Sequence, residues 1–452
     1  RSAYIVQCVH KGKKAMTNSE KDVIAAIATP HGRGAISCIR LSGAGSVETA
    51  KKVTEGFDGK SHALMVNCKF SSKVRDKIMA VAFLGNKSYT GEESVELYFH
   101  GGKYLTEQAL LCILDAGARM AEAGEFTRRA FMNGKIDLTQ AEGIGDLIDA
   151  DSMLALDSAY EQSEGKTRKT IDEIYNQTVT AAAKAEVSID YPEEDVQEQT
   201  NEETVKDIED ALENIRKELK GYNGGRIKRE GLRVVLTGKT NAGKSTLFNT
   251  LLGEDRAIVS DEEGTTRDAV EEKMIYRGSA FVLVDTAGLR ETDSKAEKMG
   301  IERSIREAKE ADVVIRVVRK KEQISGETVD ENTVIVLNSC KSFISEEQNG
   351  SNGIIVLNAK TGEGAEKLKE KLYEISKFKT QSGGSVNNAR QYAALKVAEE
   401  SLERAKVAVN TLTADCVCAD LREALDSLGS VTGKNPSDSV IDEIFSKFCV
   451  GK

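Results

Sequence analysis

Long apolar runs are missing from this 452-residue chain. No stretch approaches the roughly 18 apolar residues that a helix needs to cross a bilayer, so the sequence argues against a membrane-spanning protein. Hydrophobic residues make up 40% and charged residues 30% of the chain, a balance typical of soluble globular proteins. Because domains usually hold roughly 100–200 residues, two to four domains are expected.

Closely spaced cysteines are scarce. Cys416 and Cys418 form the one close pair, and their spacing does not match the cysteine pairs of zinc sites. We therefore predict reduced thiols in a cytosol-like compartment, and not a disulfide framework. The cysteines are Cys8, Cys38, Cys68, Cys112, Cys340, Cys416, Cys418 and Cys449.

An excess of positive charge is also missing, since the formal net charge is −10. Such a chain as a whole repels phosphate backbones, so a nucleic-acid substrate would need a local basic patch or a partner protein. Residues 1–15 differ, because they hold cations and no acid. We expect residues 1–21 to be an unstructured tail. An organellar targeting segment is the alternative, although these residues lack the arginine and serine richness expected of one, and Met16 is a candidate for the true start.

The pattern of apolar residues divides the remaining chain. Residues 22–135 combine short apolar runs, glycine turns and a helical pattern, which predicts an α+β N-terminal domain. Residues 136–230 and 379–452 have apolar residues at three- and four-residue intervals, so we predict two helical segments that form one discontinuous domain. Residues 381–385, Gln-Ser-Gly-Gly-Ser, have the composition of a linker.

Residues 231–378 alternate β-rich apolar runs with helical patterns. This alternation predicts an inserted α/β domain with a mostly parallel sheet. The candidate strands are Leu232–Leu236, Ala280–Val284, Val313–Val318, Thr333–Leu337 and Ile354–Leu357.

A phosphate-binding motif follows the first of these strands. Residues 238–245, Gly-Lys-Thr-Asn-Ala-Gly-Lys-Ser, fit G-x-x-x-x-G-K-[ST] between a strand and a helical pattern. The glycines let the backbone wrap around phosphates, and amides at the helix N-terminus point at the anion. Lys244 adds charge at the β- and γ-phosphates, and Ser245 is suited to hold Mg²⁺.

Two further phosphate elements follow in the chain. Asp285–Gly288, Asp-Thr-Ala-Gly, closes a predicted strand, where its aspartate can support the Mg²⁺ shell. Gly264–Asp268, Gly-Thr-Thr-Arg-Asp, precedes it and offers Thr266 to the metal. Taken alone, Thr265 and Thr266 fit a solvated loop equally well. Three such elements in this order favour a GTPase-type switch protein over a generic P-loop ATPase.

These motifs resemble the tRNA modification GTPase family known as MnmE or TrmE. The resemblance extends over nearly the whole chain from Asp22. It implies a folate-binding, dimerising N-terminal domain, a discontinuous helical domain and an inserted Ras-like P-loop domain. The matching segments are Ala28–Gly34, Ser88–Glu92, His100–Gly102, Gly124–Thr127, Ala130–Lys135, Asp285–Arg290 and Phe448–Lys452.

The resemblance also implies a K⁺ ion that bridges the nucleotide phosphates. The ion would be bound by Asn241, with Ser260, Glu262 and Thr265 completing the shell, and would supply positive charge during phosphoryl transfer. The implied GTP, K⁺ and Mg²⁺ contacts are Asn241, Ala242, Gly243, Lys244, Ser245, Thr246, Ser260, Asp261, Glu262, Glu263, Gly264, Thr265, Thr266, Asp285, Thr286, Ala287, Gly288, Asn338, Asn358, Ala359 and Lys360.

By the same resemblance, three residues act in hydrolysis. Lys244 stabilises the phosphates, Thr266 holds Mg²⁺ together with Ser245, and Glu297 orients the attacking water. Taken alone, Glu297 is one acid in a charged run, as on a solvated helix face.

The family's folate site maps onto four residues of this chain. Arg40, Glu96, Lys135 and Lys452 match its positions for a 5-formyltetrahydrofolate-type one-carbon donor. A carboxylate pairs with the pterin edge, and cations suit the glutamate tail. Without the resemblance each would be an ordinary surface charge. Cys449 is either a functional thiol of this site or an ordinary small cysteine.

The base-recognition loop departs from the family. GTPases place Asn-Lys-x-Asp after this strand, and the aspartate accepts two hydrogen bonds from guanine; here the residues are Asn338–Lys341, Asn-Ser-Cys-Lys. An ammonium donates and cannot accept, so guanine selectivity is in doubt. Arg316 and Arg319 also interrupt a strand that relatives keep apolar.

The motifs predict a P-loop GTPase, and the resemblance implies that it is homodimeric and activated by K⁺. The resemblance also implies that, with an FAD-dependent partner protein in a heterotetramer, it adds an aminomethyl or carboxymethylaminomethyl group to C5 of the wobble uridine of tRNA. A signalling or assembly GTPase without modifying activity, and a scaffold with weakened guanine selectivity, are the alternatives. The expected compartment is the cytoplasm, with an organelle matrix as the alternative.

Overall fold

The structure is a computed structural model, and its residues form two compact units. One unit holds the residues up to Asp137 together with Pro436–Lys452, and the other holds Leu138–Asn435. No helix of the described residues is long and apolar enough to cross a membrane. The structure describes residues 22–190, 194–253, 270–285, 306–323, 332–339 and 354–452.

The first unit is built on a seven-stranded sheet of order β3-β4-β5-β6-β2-β1-β7. Neighbouring strands are antiparallel except β1 and β7, which are parallel. From Val95 to His100, buried side chains alternate along β6 with more accessible ones, as in a sheet with one covered face. The strands are β1 Ile24–Ile27, β2 Ile36–Ser42, β3 Thr54–Glu55, β4 Met65–Ser71, β5 Arg75–Phe83, β6 Ser94–His100 and β7 Arg119–Met120.

Two helices cover one face of this sheet. They are α1, Ser46–Val53, and α2, Lys103–Asp115. Ala50 of α1 and Ile113 of α2 share one buried core with strand residues such as Leu41. A third helix, α3, Glu125–Met132, follows β7.

The second unit contains a helical bundle formed by two separate stretches of chain. Ile174 and Leu212 from the first stretch share a buried core with Leu402 and Leu421 from the second. The predicted discontinuous helical domain is therefore confirmed. Its helices are α4 Leu138–Asp149, α5 Met153–Ser163, α6 Lys166–Asp190 and α7 Glu194–Glu230, and, after the inserted domain, α10 Ala389–Val409 and α11 Ala414–Thr432.

The inserted domain has a six-stranded sheet of order β13-β12-β11-β8-β10-β9. All neighbours are parallel except β9, which is antiparallel to β10. The predicted α/β domain with a P-loop is confirmed, and β9 is a strand that the apolar pattern did not indicate. The elements are β8 Leu232–Thr237, α8 Lys244–Leu252, β9 Val270–Tyr276, β10 Ser279–Asp285, β11 Val313–Val318, β12 Thr333–Asn338, β13 Ile354–Leu357 and α9 Ala365–Thr380.

The C-terminal residues belong to the first unit. Helix α12, Asp438–Ser446, packs on α3, and the Phe126 amide donates to the Lys452 carbonyl at 3.1 Å. Val450 forms an antiparallel bridge with Ala123. The predicted helical segment 379–452 thus spans both units, since residues 436–452 group with the N-terminal sheet.

Two glycines that flank α3 allow a matched test of this packing. Gly124 and Gly134 have φ values of 65° and 67°. A Cβ at Gly124 would lie 2.4 Å from the Phe445 carbonyl oxygen, whereas nothing lies within 4 Å at Gly134. We expect Gly134→Ala to lower the free energy of unfolding by about 1–2 kcal/mol for its left-handed backbone. Gly124→Ala should cost at least about 1 kcal/mol more, because it also forces overpacking.

Urea titrations of the two variants measure this difference. Equal midpoints would mean that the Phe445 backbone does not lie against Gly124.

Candidate nucleotide site and N-terminal polar site

The P-loop is held by close backbone contacts. Gly238 has a φ of 141°, and a Cβ there would lie 2.3 Å from the Val317 carbonyl oxygen. Gly243 has a φ of 99°, and its Cβ would lie 2.2 Å from Nδ2 of Asn338. Neither position tolerates a side chain, so both glycines of the motif are required by the fold. The loop therefore passes between β8 and α8 as a tight phosphate cradle.

Lys244 lies at the first turn of α8 and is buried. Its ammonium donates to the carbonyl oxygens of Gly238 at 2.9 Å and Lys239 at 3.4 Å. The cation therefore crosses the mouth of the loop. Ser245 and Thr246 are exposed at the helix N-terminus, where free amides and hydroxyls attract phosphate oxygens and Mg²⁺.

Asn241 lies on the exposed outer part of the P-loop with a φ of 63°. This left-handed conformation is uncommon for a residue with a side chain, although asparagine adopts it more readily than most. The residue is exposed, so a ligand at the outer part of the loop can reach it.

Asp285 ends β10 and lies beside Leu236 in the register of β10 and β8. It is buried, with 4% of its surface exposed. Because Leu236 lies two residues before Gly238, where the P-loop begins, the sheet brings Asp285 to the same edge as Gly238. Two motifs that are separate in the sequence, the P-loop and Asp285, therefore lie at the same edge of the sheet.

Asn338 connects the P-loop to the predicted base-binding loop. Its Nδ2 donates to the Ala242 carbonyl at 2.9 Å, and its Oδ1 accepts from the Ala359 amide at 3.1 Å. The side chain thus fixes the distance between the two loops. The structure brings Asn338, Ala359 and the P-loop together, as the sequence predicts.

The base-binding loop has two further supports. Oδ1 of Asn358 accepts from the amides of Lys360 at 3.0 Å and Thr361 at 3.3 Å, which shapes the turn. Thr250 of α8 donates its hydroxyl to the Ala359 carbonyl at 2.6 Å. Sequence reasoning did not identify Thr250, because a threonine at the end of a helix carries no signal of such a contact.

Several predicted nucleotide and metal contacts lie outside the described residues, and their roles stay predictions. They are Ser260, Asp261, Glu262, Glu263, Gly264, Thr265, Thr266, Thr286, Ala287, Gly288 and the water-orienting Glu297. Lys341, where the sequence departs from the base-recognition motif, also lies outside the described residues.

The N-terminal unit contains a second polar site, centred on an ion pair. Arg40 of β2 and Glu96 of β6 lie opposite each other in the register, with Nη2 and Oε1 2.8 Å apart. The Tyr98 hydroxyl also donates to Glu96, and burial together with this bond raises the pKa of Tyr98. The guanidinium lies 5.7 Å from the centre of the Tyr89 ring and 5.8 Å from that of Phe126. Aromatic rings therefore flank a partly buried cation.

Lys452 lies near this pair. Its ammonium is partly buried, and burial followed by the charge of Arg40 lowers the pKa of Lys452. Gly451 has a φ of 105°, and a Cβ there would lie 2.5 Å from the Ile27 carbonyl oxygen, so the tail is seated tightly. No salt bridge joins Lys452 to an acid among the residues that the structure describes. Two neighbouring cations, of which Arg40 alone is paired with a carboxylate among the described residues, favour an anionic ligand.

Lys135 occupies a different part of the same unit. Its ammonium donates to the Asn86 carbonyl at 3.0 Å, and its chain lies against Gly91. Within the described parts of the chain, no hydrogen bond or ion pair joins it to Arg40, Glu96 or Lys452. Its described contacts with Asn86 and Gly91 are to the loop that also holds Tyr89.

Comparison with known proteins identifies the family. The model of the GTP-binding protein TrmE N-terminus matches residues 23–135, and that of the MnmE helical domain matches residues 138–449. The tRNA modification GTPase MnmE of Carboxydothermus hydrogenoformans is 38% identical over 96% of this chain and 100% of its own length. The tRNA modification GTPase MnmE of Clostridioides difficile is 37% identical over 95% of this chain and 99% of its own length.

Among solved structures, a G domain of the T. maritima FeoB iron transporter is 26% identical. It covers 32% of this chain and 98% of its own chain, with a TM-score of 0.23. The chain belongs to the MnmE family of tRNA modification GTPases.

Proposed function

We propose that this protein hydrolyses GTP and takes part in modifying C5 of the wobble uridine of tRNA. The observation that carries the proposal is the junction of P-loop, Asp285 and Asn338 at one sheet edge, in a chain that matches MnmE proteins over nearly its full length. A homodimer that acts with an FAD-dependent partner protein, in a cytosol-like compartment, would add an aminomethyl or carboxymethylaminomethyl group.

In the nucleotide site, separate residues would bind the phosphates, hold Mg²⁺ and orient the attacking water. Lys244 places positive charge at the mouth of the cradle, and the N-terminus of α8 presents amides to the phosphates. Ser245 would hold Mg²⁺, and Asp285 would support its shell. A bound Mg²⁺ neutralises charge that develops on the phosphate oxygens. Thr266 would complete the metal shell, and Glu297 would orient the water.

The exposed Asn241 supports a monovalent cation at the outer side of the cradle. Its amide oxygen would bind K⁺ together with Ser260, Glu262 and Thr265. A cation there supplies the charge that other GTPases obtain from an arginine.

The N-terminal polar site supports a folate-type one-carbon donor. Glu96 offers a carboxylate for the pterin edge, while Arg40 and Lys452 offer cations for the anionic tail. Lys135 would bind at the rim of the site. The thiol of Cys449 is exposed in the same tail.

A second candidate function is nucleotide binding with weak preference between purines. It is favoured by Lys341, which replaces the carboxylate that reads guanine. Asn338, the loop Asn358–Lys360 and stacking would then carry most of the recognition of the base.

The first prediction tests the proposed activity through Lys244. In a reaction with GTP, tRNA, the folate donor and the partner protein, Lys244→Ala should lower both GTP hydrolysis and tRNA modification at least about 100-fold, because the phosphates lose a preorganised cation. Lys239→Ala is the control, since Lys239 takes part in the loop through its carbonyl oxygen and should stay near wild-type rates. Wild-type rates in Lys244→Ala would refute the site.

The folate site is tested by two substitutions. Arg40→Ala should weaken binding of 5-formyltetrahydrofolate by about 10- to 100-fold, because it removes a charge-assisted contact of about 1.5–3 kcal/mol. Lys452→Gln leaves the Arg40–Glu96 pair intact and should weaken binding about 10-fold. Titration calorimetry measures both, with Arg75→Ala, an exposed arginine of the same sheet, as the control. Unchanged affinity in both variants would exclude these residues from the site.

The purine preference is tested at position 341. We expect a GTP-over-ATP preference below about 100-fold in the unmutated protein, equivalent to about 2.7 kcal/mol, because sites that lose a hydrogen-bonding partner discriminate poorly. Lys341→Asp should restore a stronger preference. A large GTP preference that Lys341→Asp leaves unchanged would mean that another acid, such as Glu346 or Glu347, recognises the base.

A further inference from the structure

The segment that leaves the inserted domain is docked, although its composition is that of a flexible linker. It runs between α9 and α10 and lies against helix α7. The Gly384 amide donates to the Gly221 carbonyl at 3.0 Å, and the Thr167 hydroxyl donates to the Ser385 carbonyl at 2.8 Å. We call residues 381–388 the exit segment.

Three glycines inside α7 make this close docking possible. Glycine within a helix is destabilising relative to alanine, so its presence at 221, 224 and 225 needs a reason. A Cβ at Gly221 would lie 2.3 Å from the Gly384 nitrogen, and one at Gly224 would lie 2.8 Å from the Lys379 carbonyl oxygen. A Cβ at Gly225 would lie 2.6 Å from the Val386 carbonyl oxygen. The helix backbone itself is therefore the surface on which the exit segment rests.

Glu218, one turn before Gly221, holds the exit segment through hydrogen bonds, and we call this contact the clamp. Its side chain is buried, with 8% of the residue exposed. One oxygen, Oε2, accepts from the Ser385 amide at 2.7 Å, the Ser385 hydroxyl at 2.9 Å and the Val386 amide at 3.3 Å. Within the described ranges, no salt bridge joins Glu218 to a cation. If the segment left, a buried carboxylate would lose its donors, which is unfavourable.

The clamp joins the two places where the chain enters and leaves the inserted domain. The chain enters the inserted domain from the end of α7 at Glu230 and leaves it through α9 and the exit segment. The clamp ties the exit to the helix that forms the entrance. Helix α7 also carries Ile208 and Leu212 into the core of the helical bundle. The clamp therefore connects the exit of the inserted domain to a helix that also packs in the helical bundle.

We propose that Glu218 is a positioning residue, which holds the exit segment on α7 so that nucleotide-dependent changes in the inserted domain reach the helical bundle. The inference rests on the proposed function, since it links GTP hydrolysis to modification. Glu218 itself touches neither nucleotide nor tRNA in this role.

The test compares Glu218→Gln with Glu213→Gln, an exposed acid on the same helix. In Glu218→Gln we expect amide hydrogen exchange at residues 383–386 to become at least tenfold faster. GTP hydrolysis should stay within twofold of wild type, while tRNA modification per GTP hydrolysed falls at least tenfold. Glu213→Gln should match wild type in all three measurements.

A second pair of variants reaches the same contact without changing charge. Gly224→Ala should push the exit segment off α7 and reproduce the loss of modification. Gly429→Ala is its control, because a Cβ there meets Lys434 at an ordinary 3.6 Å. Normal modification despite fast exchange at 383–386 would overturn the proposal. So would a parallel loss of hydrolysis and modification, because that pattern indicates general instability.

Hydrogen exchange separates failure of this inference from failure of the proposed function. If the unmutated protein does not modify tRNA, the proposed function is wrong, and the clamp is then judged by exchange in α6 and α10 with and without GTP. A GTP-dependent change that is lost in Glu218→Gln supports the clamp. A change that persists in Glu218→Gln, or its absence from the unmutated protein, overturns it.

Discussion

The side chain of Asn338 holds the phosphate loop and the base-binding loop at a fixed spacing, and the geometry of the nucleotide site depends on it. One amide group satisfies the Ala242 carbonyl and the Ala359 amide at the same time. Its nitrogen also fills the space where a side chain at Gly243 would lie. Both contacts join parts of the protein itself, so the cradle is preorganised. Phosphate recognition can therefore persist even where Lys341 alters base recognition.

The N-terminal polar site and the contact of Glu218 with the exit segment each depend on a carboxylate with little exposed surface, but the partners of the two carboxylates differ. Glu96 faces a guanidinium, so the pair is close to neutral, and the nearby Lys452 leaves a net positive charge for an anionic ligand. Among the described residues, Oε2 of Glu218 accepts hydrogen bonds from two backbone amides and a hydroxyl, and no salt bridge joins this carboxylate to a cation. These donors are lost if the exit segment leaves, which is unfavourable for a buried carboxylate. A carboxylate with a cation suits a binding site, whereas one without a cation suits a clamp.

Much of the inserted domain could be predicted from the sequence because its strands are apolar runs in a parallel sheet. The five predicted strands all occur, and the P-loop lies between β8 and α8. The apolar pattern does not indicate strand β9, because its sequence, VEEKMIY, contains three consecutive charged residues. The strand lies at the edge of the sheet. In the N-terminal unit, the family resemblance alone indicates Arg40 and Glu96 as residues of a folate site. Their pairing follows from strand register, which one sequence does not reveal.

The roles of Thr250, Glu218 and the glycines of α7 had no local signal. Each depends on a segment more than 100 residues away, as in the 167-residue separation of Glu218 and Ser385. Composition alone predicted a free linker at 381–385, because glycine and serine favour flexible chains. The same residues also allow two backbones to approach closely, and the glycines of the facing helix decide between these outcomes. A glycine-rich connection is therefore ambiguous until its partner surface is known, and here the partner has glycines at the matching positions.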